Sequence, residues 1–324
     1  MSDQEYRVPV VPAIAARQVI SLTFLGIACV YAFAQGSLKT APASTSADLR
    51  VDVSLALIPV TVTTPNGQPV LGLGRDDFRL FEDGIEQRIT FLAGEDTPLS
   101  VGFVIDLSGS MKAKLPKSTQ AATELLRSFD HREDEFFLVQ FNERPKLVVP
   151  FTRYAGEIET QLRRAKPLGR TALLDAVHLA RSAMQHARNA RRAIVILSDG
   201  GDNHSRYTAT EIRREMRESD VQIYSMALPS TLPAGRLVRE ERDGPELLED
   251  IAAVTGGRHW DLTRLEDLQA VSSRIALELH NQYLIGYSPS PGNSRERRIR
   301  VVAHPAEPRQ LQVHYRPQVN LGGR

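Results

Sequence analysis

The chain of 324 residues has one cysteine, Cys29, and it lies in an apolar stretch near the start. A single thiol excludes an internal disulfide and a cysteine-based metal cluster. An excess of one charge is missing too. Forty Lys and Arg against 39 Asp and Glu leave a net charge of +1, so nothing draws the whole chain toward nucleic acid or acidic lipid. Local basic clusters stand at Arg188, Arg191 and Arg192, at Arg213 and Arg214, and from Arg295 to Arg300. No aromatic residues interleave them and no recognition motif accompanies them, so they read as solvated helix ends or strand faces. No G-x-S-x-G elbow, P-loop or H-E-x-x-H run occurs, which removes the common signatures of nucleophilic, nucleotide and zinc chemistry. His178 and His186 share a helix two turns apart, a spacing that chelates nothing.

Long apolar runs are also scarce. One, from Val19 to Ala34, follows Arg7 and Arg17 and ends in Ala32-Phe33-Ala34 before Gln35. This is the layout of an export signal cleaved after Ala34. At sixteen residues it is shorter than the roughly 20 that a membrane-spanning helix needs, and an uncleaved amino-terminal anchor is the alternative. The apolar run continues past Cys29 through Phe33, which argues against lipidation of the thiol. Residues 1–34 are therefore read as signal peptide or anchor, and 35–50, rich in Ser, Thr, Ala and Pro, as a flexible linker. A mature chain without cysteine must hold its fold by core packing.

What is present is more specific. The run VGFVIDLSGSMK, residues 101–112, opens with the short apolar stretch of a parallel strand covered on both faces. It ends at Asp106, followed by Ser108 and Ser110. Ligands of open α/β sheets bind beyond the carboxyl ends of the strands, and here one carboxylate and two hydroxyls gather within five residues. Hard oxygen donors of this kind suit Mg²⁺, Mn²⁺ or Ca²⁺ rather than zinc. Alone, the same residues also fit a helix cap ahead of a helix from Lys114 to Phe129. Two further segments bear on the choice. LGRTALLD, residues 168–175, places Thr171 in a Gly-led loop before a helix reaching Ala187, and RRAIVILSDGGDN carries an apolar strand, Ala193 to Leu197, that runs into Ser198 and Asp199.

With these three segments in order the chain resembles the von Willebrand factor type A family. That family's metal-ion-dependent adhesion site uses a D-x-S-x-S run, a Thr from a later loop and an Asp after a later strand. The resemblance implies that Ser108, Ser110 and Thr171 supply hydroxyl ligands to Mg²⁺ (or Mn²⁺ or Ca²⁺), while Asp106 and Asp199 hold the ion directly or through water. It further implies that a carboxylate of a protein partner, an exposed Asp or Glu, completes the shell.

Strands and helices alternate between residues 94 and 281, giving an α/β fold: a doubly wound, Rossmann-like sheet with helices on both faces. Helices are expected near 155–165, 172–187, 209–219, 245–255 and 265–282, and strands at 135–141, 146–151, 222–227 and 258–261. The last helix but one is placed to begin at Pro245. Residues 51–93 read as a small β domain. Val51, Val53, Leu55 and Leu57 alternate, as do Val60 and Val62, ahead of the turn Pro65-Asn66-Gly67. This stretch resembles the leader that precedes the A-type domain in a group of exported bacterial proteins first noted in acidobacteria. Asp76, Asp77, Glu82 and Asp83 lack calcium-loop spacing and are assigned to turns and surface. Residues 282–316 return to strands, expected to complete the sheet begun by 51–93 because each piece alone is marginal. Residues 317–324 are read as a tail.

The function expected from this reading is an exported, periplasmic or secreted protein-binding module of the cell envelope, dependent on a divalent cation and not an enzyme. Two other readings are an envelope scaffold with a structural or vestigial metal site, and a metal-assisted hydrolase. The hydrolase lacks an evident general base beyond the two carboxylates already committed to the ion. Asp202 is a turn residue or an aid to a second ion, and Asn203-His204-Ser205 matches a glycosylation acceptor.

Overall fold

Eight consecutive residues, Leu99–Asp106, form a strand in which no residue is exposed, as expected of a strand covered on both faces. The computed structural model describes residues 55–94, 97–129, 132–230, 237–290, 296–305 and 310–321, all within one unit, Asp52–Arg324. The expected signal or anchor, Cys29 and the linker lie outside the described residues. Among the described residues no helix is long and apolar enough to cross a membrane.

In chain order the elements are β1 (Ala56–Thr63), β2 (Phe78–Glu82), β3 (Ile85–Gln87), β4 (Ile89–Ala93), β5 (Leu99–Asp106), α1 (Leu115–Arg127), β6 (Glu135–Phe141), β7 (Lys146–Thr152), α2 (Ala155–Arg164), α3 (Leu173–Met184) and β8 (Arg191–Ser198). Then follow α4 (Ala209–Glu218), β9 (Gln222–Ala227), α5 (Arg239–Val254), β10 (Arg258–Asp261), α6 (Leu268–His280), β11 (Tyr283–Tyr287), β12 (Glu296–Ala303), β13 (Gln312–Tyr315) and β14 (Gln318–Asn320).

The central sheet runs β10-β9-β8-β5-β6-β7, parallel except for the edge strand β7. Alternation along its strands sorts the core into two layers. Val101, Phe103 and Ile105 of β5, with Ala193, Val195 and Leu197 of β8, face α1, α2 and α6. Val104 of β5, with Ile194 and Ile196 of β8, faces α3, α4 and α5. The sheet is therefore doubly wound, with helices on both faces. Strand order reverses between β5 and β8, because the chain leaves β5 to build β6 on one side and returns to build β8 on the other. That reversal opens a crevice at the carboxyl ends of these two strands.

The segments before and after this layer form one β sandwich. Its first sheet runs β13-β1-β11-β4 and its second β14-β12-β2-β3. β1 is flanked by β11 and β13, and β2 by β12 and β3. The described residues of 51–93 and 282–316 thus share a core, in which Val60, Val62, Phe78, Leu80, Tyr283, Ile285, Tyr287 and Val301 are buried. The α/β layer is an insertion between β4 and β11.

Several expectations are corrected. The alternation at the start of β1 has the opposite phase: Leu55 and Leu57 are exposed while Ala56, Ile58, Val60 and Val62 are buried, because pairing with β11 fixes which face meets the second sheet. Residues 317–324 are not only a tail, since Val319 in β14 is buried and pairs with Arg297. The helix placed from Pro245 begins at Arg239 and carries Pro245 in its interior. Glu82 is buried within the sandwich, 3.8 Å from Arg297. Arg191 is not solvated: its guanidinium donates to the carbonyls of Thr97 and Leu279, and burial pulls its pKa down to about 10. Placed at the carboxyl end of α6, it meets the negative end of that helix.

Layer and sandwich meet through polar contacts. Gln282 donates to Thr61 and to Gln222 (3.3 and 2.7 Å), and Arg316 donates to the carbonyls of Met216 and Val221. Glu278, fully buried, pairs with Arg258 and Arg274. Facing this cluster, the His314 ring is pulled down to about 4, by burial first and then by the charges of Arg258 and Arg274. A histidine with a lowered pKa in the folded state adds stability above its ordinary value near 6.5, and that stability is lost as pH falls toward 4. Wild-type protein is expected to lose about 1–2 kcal/mol more than His314→Gln between pH 7 and 4, after allowing for the solvent that the ring meets. Urea denaturation at both pH values reads this, and parallel losses in the two proteins would contradict it.

Candidate metal centre at the strand switch

The crevice between β5 and β8 is where the candidate residues gather. Parallel register sets Ile105 beside Leu197, so Asp106 and Ser198 end their strands side by side. The Asp106 carboxylate is fully buried. Oδ1 accepts the Ser108 backbone N–H at 2.7 Å, and Oδ2 accepts the Ser198 hydroxyl at 2.6 Å. The first bond is an Asx-type turn that throws the chain back across the strand end. A short 3₁₀ turn, Gly109–Met111, then leads into α1. It brings the Ser108 and Ser110 hydroxyls to 3.0 Å of each other, Ser108 buried and Ser110 exposed.

Thr171 arrives on a separate loop tied to both neighbours by backbone bonds. Gly109 donates to Gly169 and Leu168 to Leu107, while Asn203 and His204 both donate to the Thr171 carbonyl. The Asn203 side chain accepts the Thr171 N–H at 3.0 Å. Asp202 is a loop-ordering residue: Oδ1 accepts the Leu173 N–H and the Ser205 hydroxyl, fixing the start of α3. The loop-ordering Asn203 is the acceptor residue of the glycosylation pattern.

Asp199 completes the set. It is 7% exposed, and its Oδ2 accepts a hydrogen bond from the Lys114 ammonium at 2.8 Å. Burial is the main force raising the Asp106 pKa, and the Asp199 charge raises it further, while the bonds from Ser198 and Ser108 pull the other way. The two carboxylates thus feel each other in a place where water does little to screen them. The donor set consists of oxygens alone, with buried negative charge on one side and the exposed Ser110 on the other. Such donors fit a hard divalent cation. Among the described residues no group of three or more His, Cys, Asp or Glu is gathered for a metal, so a centre here rests on two carboxylates and neutral hydroxyls.

The five residues named from sequence stand on three loops laced together by these bonds. Two others escaped that reading as parts of the centre. Ser198 stood in plain view as the residue before Asp199, but its bond to Asp106 depends on strand register. In the sequence Lys114 reads only as the start of a helix, and nothing local marks a lysine for burial.

The Asp199 loop is pressed by α5. Gly200 has φ +81°, a conformation suited to glycine, and a Cβ on Gly244 would come within 2.4 Å of the Gly200 carbonyl carbon. Gly244→Ala must push α5 off this loop, at an expected cost of about 1–3 kcal/mol. Chemical denaturation measures it, and an unchanged midpoint would show that the two backbones are not in this contact.

Residues 101–201 match the family model described as von Willebrand factor type A domain. Among solved structures, the proximal thread matrix protein 1 of the mussel byssus is 15% identical over 61% of this chain and 51% of that one, with a TM-score of 0.50. An aerotolerance-related membrane protein from Bacteroides fragilis NCTC 9343, solved with multiple mutations to serines, is 18% identical over 56% and 98%, at 0.45. The PilB minor pilin from Streptococcus sanguinis is 14% identical over 57% and 61%, at 0.45. At such identities the likeness bears on fold alone. No curated protein matches the chain with significance.

Proposed function

We infer that this chain, which carries a von Willebrand factor type A domain, is a protein-binding module that uses a divalent cation at the β5–β8 switch point. The observation that carries this reading is the asymmetry of the centre. Asp106, Ser108, Thr171 and Asp199 are buried, while Ser110 and the neighbouring Gly109, Gly169 and Arg170 are exposed. Ligands on the inner side and an open rim on the outer side leave room for a donor from another molecule. In this reading the Ser108, Ser110 and Thr171 hydroxyls bind Mg²⁺ or a similar ion, and Asp106 and Asp199 hold it directly or through water. A bound divalent cation would supply an electrophilic centre that an Asp or Glu of a partner protein completes.

Ser198 and the Ser108 N–H keep the Asp106 carboxylate aimed into the crevice, and the loop bonds through Thr171 hold the three segments together. Both carboxylates are already engaged as acceptors, which favours binding over catalysis. Export to the cell envelope, suggested by the amino-terminal sequence, would place the site where divalent ions and protein partners are available. The buried Lys114–Asp199 pair favours a second reading, a scaffold whose metal site is vestigial, because an internal ammonium already serves one carboxylate.

Titration with Mg²⁺ or Mn²⁺ separates the two. At a hundredfold excess over Kd, binding to the folded state is worth about 2.7 kcal/mol, so the melting temperature of wild type is expected to rise by several degrees and that of Asp106→Ala to stay put. Capture of envelope proteins on the immobilised chain is expected to require the ion and to vanish with the same substitution. Identical melting and capture with and without metal would leave the scaffold reading standing.

A further inference from the structure

We propose that Lys114 is a tethered counter-cation that occupies the charge position of the centre in the metal-free state, and that a divalent ion enters only as its ammonium leaves Asp199. This inference rests on the metal reading above and concerns how that same site is regulated.

The residue's placement carries it. Lys114 is 1% exposed, far below what a lysine normally tolerates, and its ammonium donates to Asp199 Oδ2 at 2.8 Å. The partner is the carboxylate that the D-x-S-x-S set needs from β8, so ammonium and metal compete for one ligand. One ammonium carries a single positive charge, whereas the two buried carboxylates of Asp106 and Asp199 can present two negative ones. Exchange of the ammonium for a divalent ion improves that balance, which makes the lysine a replaceable occupant and not a permanent one.

The local chain allows the exchange. Lys114 is the cap residue of α1, three residues past the 3₁₀ turn Gly109–Met111, and the preceding Lys112 and Ala113 are exposed. Four methylene groups connect its backbone to the charge, so side-chain rotation toward that exposed turn can carry the ammonium to water with the helix in place. The pair would then keep the empty crevice from holding two unpaired carboxylates, and would set the threshold ion concentration at which the site loads.

Two measurements test this on the full chain. Calorimetric titration with Mg²⁺ alone is expected to show Lys114→Met and Lys114→Gln binding roughly tenfold tighter than wild type or better, with Asp106→Ala binding in neither background. Acylation of wild-type lysines, followed by mass spectrometry of the peptide containing Lys114, is expected to show several-fold faster labelling once Mg²⁺ is added, and no such gain in Asp106→Ala. Binding by the Lys114 variants alone would also support the proposal. If Mg²⁺ binds wild type through Asp106 while the variants bind no tighter and labelling of Lys114 is unchanged, the gating role is overturned and the metal reading survives. If neither wild type nor the variants bind Mg²⁺, both fall. Should both substitutions prevent folding, the labelling of wild type decides.

Discussion

Two carboxylates sit at the ends of adjoining strands, away from water, and their mutual repulsion has to be met from close range. At the crevice between β5 and β8 three polar groups meet that need. The Ser198 hydroxyl and the Ser108 N–H engage Asp106, and the Lys114 ammonium engages Asp199. Removing one partner of a buried pair typically costs about 3–5 kcal/mol, while keeping the pair brings little net stability. Such an arrangement is therefore poor as a means of holding a fold together and well suited to a site. It falls at the one place in the sheet where strand order reverses, so that the connections leaving β5 for α1 and β8 for α4 depart to opposite faces and leave the strand ends open.

The sandwich is coupled to this layer by chain topology. The two central strands of its first sheet, β1 and β11, come from opposite sides of the inserted α/β layer and pair directly, so neither half has a complete sheet until the ends of the insertion are close together. Glu278, buried between Arg258 and Arg274, and the Gln282 bonds to Thr61 and Gln222 knit the seam with polar groups. A polar seam of this kind fixes one docking geometry, since each buried group is costly when its partner is displaced.

Much of this was legible in the sequence, for identifiable reasons. Strands covered on both faces, β5 and β8, announce themselves as apolar runs, and the polar residues that end them mark the crevice. Asp106, Ser108, Ser110, Thr171 and Asp199 stand out because each follows such an element in order. What escaped depends on contacts distant in sequence. The phase of Leu55 and Leu57 is decided by β11, more than two hundred residues later. Pro245 looks like a helix start because proline is favoured there, yet tertiary packing of α5 against the Gly200 loop carries the helix through it. Arg191 and Lys114 look like surface charges, and only the carbonyls of Thr97 and Leu279 or the carboxylate of Asp199 explain their burial.

The oxygen donors at the switch point are proposed to form a divalent-cation centre with an open outer side. Anomalous diffraction from crystals equilibrated with Mn²⁺ tests it most directly. A single strong peak is expected in contact with the Ser108 and Ser110 hydroxyls, with the Lys114 ammonium withdrawn from Asp199. Saturating Mn²⁺ that leaves no density there, with the Lys114–Asp199 pair intact, would contradict it.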